Sequence, residues 1–200
     1  MSEENDPSEN FNAFEIPKVF HSDLTGAAFN HCISCDKKIL IDNSPYVIEK
    51  ALKTYGSLSS YSTIFEYAMC MPCVNNLKGN ISQLSMQRMN EYFMQNVNFQ
   101  KKMSQMENIS EDTITERLNS CLVNDLSVSE INECQVYAYC IGDQLIVQEF
   151  PYMVSGQALD EIVELLSPET LDDLDRLKNE LVGGPSEFQD LLQSGPKVFI

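Results

Sequence analysis

The spacing of apolar and polar positions changes near residue 73. Before it the apolar runs are short and β-prone: Ile39-Leu40-Ile41, Tyr46-Val47-Ile48 and Thr63-Ile64-Phe65-Glu66-Tyr67. Asp42-Asn43-Ser44-Pro45 separates the first two runs with turn-forming residues, which predicts a hairpin. Residues 50–56 leave open a short helix or a continuation of the strand, and 56–62 read as a loop. From Val74 onward β-branched alternation is lost. Pro72 fits a helix start, and Gly79-Asn80 breaks that helix. Residues 82–106 then read as one long helix, with Leu84, Met89, Tyr92, Phe93, Met94, Val97 and Met103 forming an apolar stripe. Methionine fills irregular gaps, so this stripe is expected to be core rather than a partner groove.

Ser110, followed by Glu111 and Asp112, has the chemistry of a helix N-cap and first turn. Residues 135–141 and 144–148 alternate around Gly142-Asp143, which predicts a tight hairpin. Ser155 is placed to cap a helix carrying Leu159, Ile162, Val163 and Leu166. Ser167-Pro168-Glu169 starts another, which Gly183-Gly184-Pro185 ends, and a last short helix falls at 186–192. The order βαβα is not sustained, so the expected fold class is α+β. The chain divides into an acidic disordered lead-in at 1–16, a metal module with its following helix at 17–106, and an acidic α+β half at 107–200. No internal repeat is expected beyond the paired cysteines that follow.

Two Cys-x-x-Cys pairs, Cys32/Cys35 and Cys70/Cys73, are separated by 34 residues in a chain with seven cysteines. Four thiolates arranged as two clamps are what a tetrahedral zinc site requires, and each clamp is short enough for both sulfurs to reach one ion. Placing Cys70 and Cys73 at a helix start favours the thiolate form, because the helix N-terminus carries partial positive charge. Four thiolates leave no open coordination position, so the expected role of Zn2+ is structural. Iron in a four-cysteine site, two separate redox pairs and plain buried cysteines are the competing readings. A knuckle, a hairpin and a second pair opening a helix resemble the treble-clef class of zinc fingers over residues 31–80. The resemblance rests on Cys32, Cys35, Cys70 and Cys73, and Asp36 stands where that class often has glycine. His31 adjoins the first clamp, close enough for its ring to donate a hydrogen bond near the site, though a surface position is the expectation. Cys121, Cys134 and Cys140 lack ligand spacing and are expected to be small buried residues, the last two sharing one strand face.

Composition narrows the function. At 200 residues and 43% apolar content the chain can bury a substantial core. No run reaches the roughly 18–20 apolar residues of a membrane span. The first twelve residues lack the pattern of a secretion signal, so the expected compartment is the cytoplasm, where paired cysteines more often hold metal than form disulfides. The net charge of −17 is unevenly spread: one basic and six acidic residues at 1–30, eight and five at 31–102, four and nineteen at 103–200. So acidic a chain repels phosphate backbones and disfavours nucleic-acid binding. Phosphate-loop, dinucleotide, zincin and serine-elbow motifs are absent. The expected function is a zinc-stabilised, non-catalytic module that binds a protein partner. The alternatives are an enzyme with a structural zinc and its site in the C-terminal half, and weak nucleic-acid binding through Lys37, Lys38, Lys50, Lys53, Lys78, Lys101 and Lys102.

Overall fold

The structure, a computed structural model, describes residues 12–41 and 43–182, with side chains described to residue 176. Of the predicted disordered lead-in at 1–16, residues 1–11 lie outside these residues, as do the helix end and final helix at 183–192, whereas 13–15 form a strand of the sheet and Ile16 is buried. The fold is α+β, as expected, with helices packed on an antiparallel sheet.

The longest strands are β2 (Pro45–Ser57) and β3 (Ser60–Cys70), which pair as a hairpin turning at Leu58-Ser59. The hairpin predicted at 39–48 is therefore displaced. Ile39 is buried, but its amide bonds the Asn30 carbonyl at 3.0 Å, while Ile41 points to solvent. Residues 50–56 continue the strand, and most of the expected loop at 56–62 is strand too. β2 runs through the middle of the sheet and pairs on its other edge with β4 (Glu133–Ile141). That seam joins the segments on either side of residue 106. β5 (Gln144–Ile146) and β6 (Tyr152–Ser155) both line the far edge of β4, and β1 (Ala13–Glu15) closes outside β5.

Paired residues share a sheet face, so two layers follow from the register. One face carries Tyr46, Ile48, Lys50 and Leu52 with Cys134, Val136, Ala138 and Cys140, all buried. The other carries Val47, Glu49 and Ala51 with Gln135, Tyr137 and Tyr139. Cys134 and Cys140 thus share a buried face, as their even spacing predicts.

Helix starts fall where the capping residues put them. Cys70 precedes α1 (Met71–Lys78), Ser82 caps α2 (Gln83–Asn96), and Ser110 caps α4 (Glu111–Asn119). Ser155 caps α5 (Gly156–Leu165), and Pro168 opens α6 (Pro168–Val182). The single helix predicted at 82–106 is two. α2 stops at Val97, and α3 (Phe99–Glu107) begins anew because the Asn98 side chain accepts from the Lys101 amide, an N-cap inside an otherwise helical pattern. The stripe also divides. Met89, Tyr92 and Phe93 pack on the core, whereas Met94 and Met103 are 73% and 61% exposed.

The chain contains an internal repeat that the sequence reading did not expect. Cys32 N bonds Lys37 O and Asp36 N bonds Cys32 O; Cys121 N bonds Leu126 O and Asp125 N bonds Cys121 O. The order knuckle, β2, β3, α1, α2 is repeated as knuckle, β4, β5 with β6, α5, α6. β5 and β6 together take the place of β3. The β2–β4 pairing is symmetric about Glu49 and Tyr137, which face each other across it, so the two copies are related by a local twofold axis there. The same axis passes through a cluster of four hydroxyls at the starts of α2 and α6. Ser82 N donates to Thr170 Oγ1 at 3.0 Å, and Ser167 N donates to Ser85 Oγ at 2.9 Å.

Candidate metal centre

The four sequence-predicted cysteines are brought together. Their sulfurs all lie within 4.8 Å of one another, and Cys35 Sγ is 3.7 Å from Cys70 Sγ. A tetrahedron with Zn–S bonds of ~2.3 Å has edges of ~3.8 Å, so the donor set fits a metal of that size. All seven cysteines are free thiols.

Two local structures position the four cysteines. The first is the knuckle at 31–38, closed by a backbone bridge between His31 and Lys38 and tied to the sheet by Ile33 N donating to Ala68 O at 2.9 Å. Its turn requires a positive φ at Asp36, 58°. Aspartate visits this left-handed region more readily than most side chains, and glycine more readily still. Asp36→Val is expected to cost about 1–2 kcal/mol while Asp36→Gly is close to neutral, read as shifts of the urea midpoint. The second structure is the junction of β3 and α1, where extended backbone at Cys70 turns into the helix and delivers Cys70 and Cys73 one turn apart.

The site's electrostatics are uneven. Burial opposes ionisation of Cys32, but hydrogen bonds from the backbone of Cys70, Cys35 and Ser34 outweigh it and bring the thiol down to about 7. Burial pushes Cys70 up to about 12, with the neighbouring thiols of Cys73, Cys32 and Cys35 adding to the rise. Burial also raises Cys73. Of these three thiols Cys32 is the readiest to ionise, whereas Cys70 and Cys73 would need a nearby cation to do so.

Neither histidine bonds a ligand sulfur. His31 Nδ1 contacts Asn30 Oδ1 at 2.7 Å, and His21 Nε2 contacts Ile16 O at 3.1 Å. Lys50 does not belong to any surface patch. It is fully buried, with Nζ 2.8 Å from Glu66 Oε2, 2.9 Å from Asp23 Oδ1 and 2.8 Å from the His21 carbonyl. Lys101 is paired with Asp125 at 2.6 Å.

Sequence reasoning missed a partly open cavity of about 390 Å3 between the sheet and α2. Met86, Met89, Phe93, Tyr139, Phe150 and Leu159 give it a mostly apolar wall. Glu49 and Tyr137 lie at its base, where Tyr67 donates a hydrogen bond to Glu49. No single motif announces this cavity, because its wall comes from six elements far apart in the chain. Among the described residues, no helix is long and apolar enough to cross a membrane. Comparisons with protein-family models, curated proteins and solved structures find no match for the chain.

Proposed function

We propose that the four cysteines hold one structural Zn2+ in a treble-clef-like module, and that the protein is a non-catalytic scaffold binding a protein partner. The observation that carries this reading is the all-thiolate cluster. Its four donors complete the tetrahedral shell, which leaves the metal no position at which to activate water or bind a substrate. The metal's work is then to fix the knuckle against the start of α1.

The partner face is assigned to α2 and α3. Leu84, Met94, Phe99, Met103 and Met106 are exposed there, and the cavity opens along the same α2. Exposed methionines provide a deformable apolar surface suited to a protein partner. The partner's contribution is an apolar side chain that enters the cavity.

Two measurements test the reading. Metal analysis of the purified protein is expected to give one zinc per chain, lost in Cys32→Ser and in Cys70→Ser; zinc that survives both substitutions counts against it. A photo-cross-linking residue at position 94, used in the native cell, is expected to give a discrete protein adduct that disappears when Met89→Trp fills the cavity. Adducts indifferent to that filling would remove the partner assignment.

A further inference from the structure

The two copies of the repeat correspond atom group by atom group around the metal centre, yet only the first has four cysteines. Cys121 occupies the place of Cys32: each is about 1% exposed, and each sulfur accepts from a backbone amide at the strand–helix junction. Cys70 N lies 3.4 Å from Cys32 Sγ, and Ser155 N lies 3.2 Å from Cys121 Sγ. Asp36 and Asp125 follow at the same offset with φ of 58° and 56°. Ile33 N bonds Ala68 O at 2.9 Å, and Leu122 N bonds Met153 O at 2.8 Å. The correspondence places Asn124 at the position of Cys35, Ser155 at that of Cys70 and Ala158 at that of Cys73.

At those positions hydrogen bonds stand where sulfurs would meet a metal. Asn124 Nδ2 donates to Ser155 Oγ at 3.1 Å, where Cys35 and Cys70 bring their sulfurs to 3.7 Å. Ser155 Oγ also accepts from the Ala158 amide at 3.3 Å, capping α5, and Asn124 Oδ1 accepts from Leu126 N at 3.3 Å. The Ala158 side chain is fully buried. The knuckle is therefore held by cross-links that need no cation.

We infer that the second knuckle is a latent metal site: a metal-ready backbone with one cysteine ligand, Cys121, kept and the other three replaced by a hydrogen-bonded Asn–Ser pair and an alanine. The class of ligand it would take, once the sulfurs are supplied, is a tetrahedral divalent cation such as Zn2+ or Co2+. The inference rests on the metal reading of the first site, and its test separates the two.

The full-length chain carrying Asn124→Cys, Ser155→Cys and Ala158→Cys is loaded with Zn2+ or Co2+, and bound metal is counted beside the wild type. The expected result is one equivalent in the wild type and two in the variant, with the second equivalent giving a second set of cobalt–thiolate absorption bands. One equivalent in both, with circular dichroism showing the variant folded, overturns the latent site; so do two equivalents in the wild type. No metal in the wild type and one in the variant overturns the reading of the first site and leaves the latent site standing. No metal in either overturns both.

Should the variant not fold, hydrogen exchange on the wild type decides. With a chelator, the amides of Ile33, Asp36 and Cys70 are expected to exchange at least tenfold faster, while those of Leu122, Asp125 and Ser155 keep their protection. Equal loss at both knuckles would show that the second is not held by its own hydrogen bonds.

Discussion

Cys70→Ser is expected to abolish stoichiometric metal binding and to lower the stability of the protein by more than about 3 kcal/mol. The magnitude follows from what the cluster replaces. Apart from one amide bond to Cys32, the knuckle's links to the sheet are few, and in small metal modules ligand binding supplies on the order of 10 kcal/mol of folding free energy. Here the shared hydrophobic core carries much of the fold, so only part of that is lost. Urea unfolding with and without chelator measures the difference. The two curves should separate for the wild type and coincide for the variant. Curves that coincide for both proteins would show that the cluster contributes nothing to stability.

Lys50→Met is expected to cost about 3 kcal/mol, although Lys50 belongs to neither the cysteine cluster nor the cavity beside α2. Its ammonium is fully buried between Glu66 and Asp23, and removing one partner leaves carboxylates facing each other across a partly dry gap. The value sits at the low end of the range for broken buried pairs because Asp23 is almost half exposed. Replacing both charges, in Lys50→Met with Glu66→Gln, should recover part of the loss. The pH dependence has a definite sign. Burial alone would raise the Asp23 carboxyl, but hydrogen bonds from Thr63, Lys50 and Tyr61 and the charge of Lys50 hold it below the ordinary value of 3.8. A carboxyl lowered on folding contributes stability that is complete above its unfolded value and is lost as pH falls through the folded one. Stability curves for the wild type and Lys50→Met should therefore converge below about pH 4. A gap between them that persists unchanged into acid would show that Asp23 does not draw on Lys50.

The legible parts of this chain are those set by local chemistry. Two short cysteine spacings located the cysteine cluster, and Ser110 and Ser155 located two helix starts through the bonds their hydroxyls make. The Gly142-Asp143 turn located the β4–β5 hairpin. What local chemistry does not set was lost. Ile39-Leu40-Ile41 looks like a strand, yet its first residue is recruited by the knuckle. Asn98 interrupts an apolar stripe without disturbing its period.

The repeat was hidden because its copies share few identities and differ in loop length. Cys32 and Cys70 are 38 residues apart, whereas Cys121 and Ser155 are 34 apart. The signal that could have found it is scattered: Cys32 with Asp36 against Cys121 with Asp125, Phe65-Glu66-Tyr67 against Phe150-Pro151-Tyr152, and Ser82 with Ser85 against Ser167 with Thr170. Each is a turn, packing or capping position, so the matches mark backbone demands. The cavity was illegible for a different reason: its shape depends on how far α2 stands from the sheet, which no residue pattern encodes.

The meeting of Glu49 and Tyr137 on the local axis explains why two copies in one chain differ from a pair of identical subunits. In a symmetric dimer of the first copy, the residue on the axis would meet itself, and two buried carboxylates would be forced opposite each other on neighbouring strands. Joining the copies covalently lifts that restriction. The position facing Glu49 is free to become a phenol, just as one knuckle is free to keep its thiols while the other gives up three. A single polypeptide thus has the architecture of a dimer without the obligation to be the same on both sides.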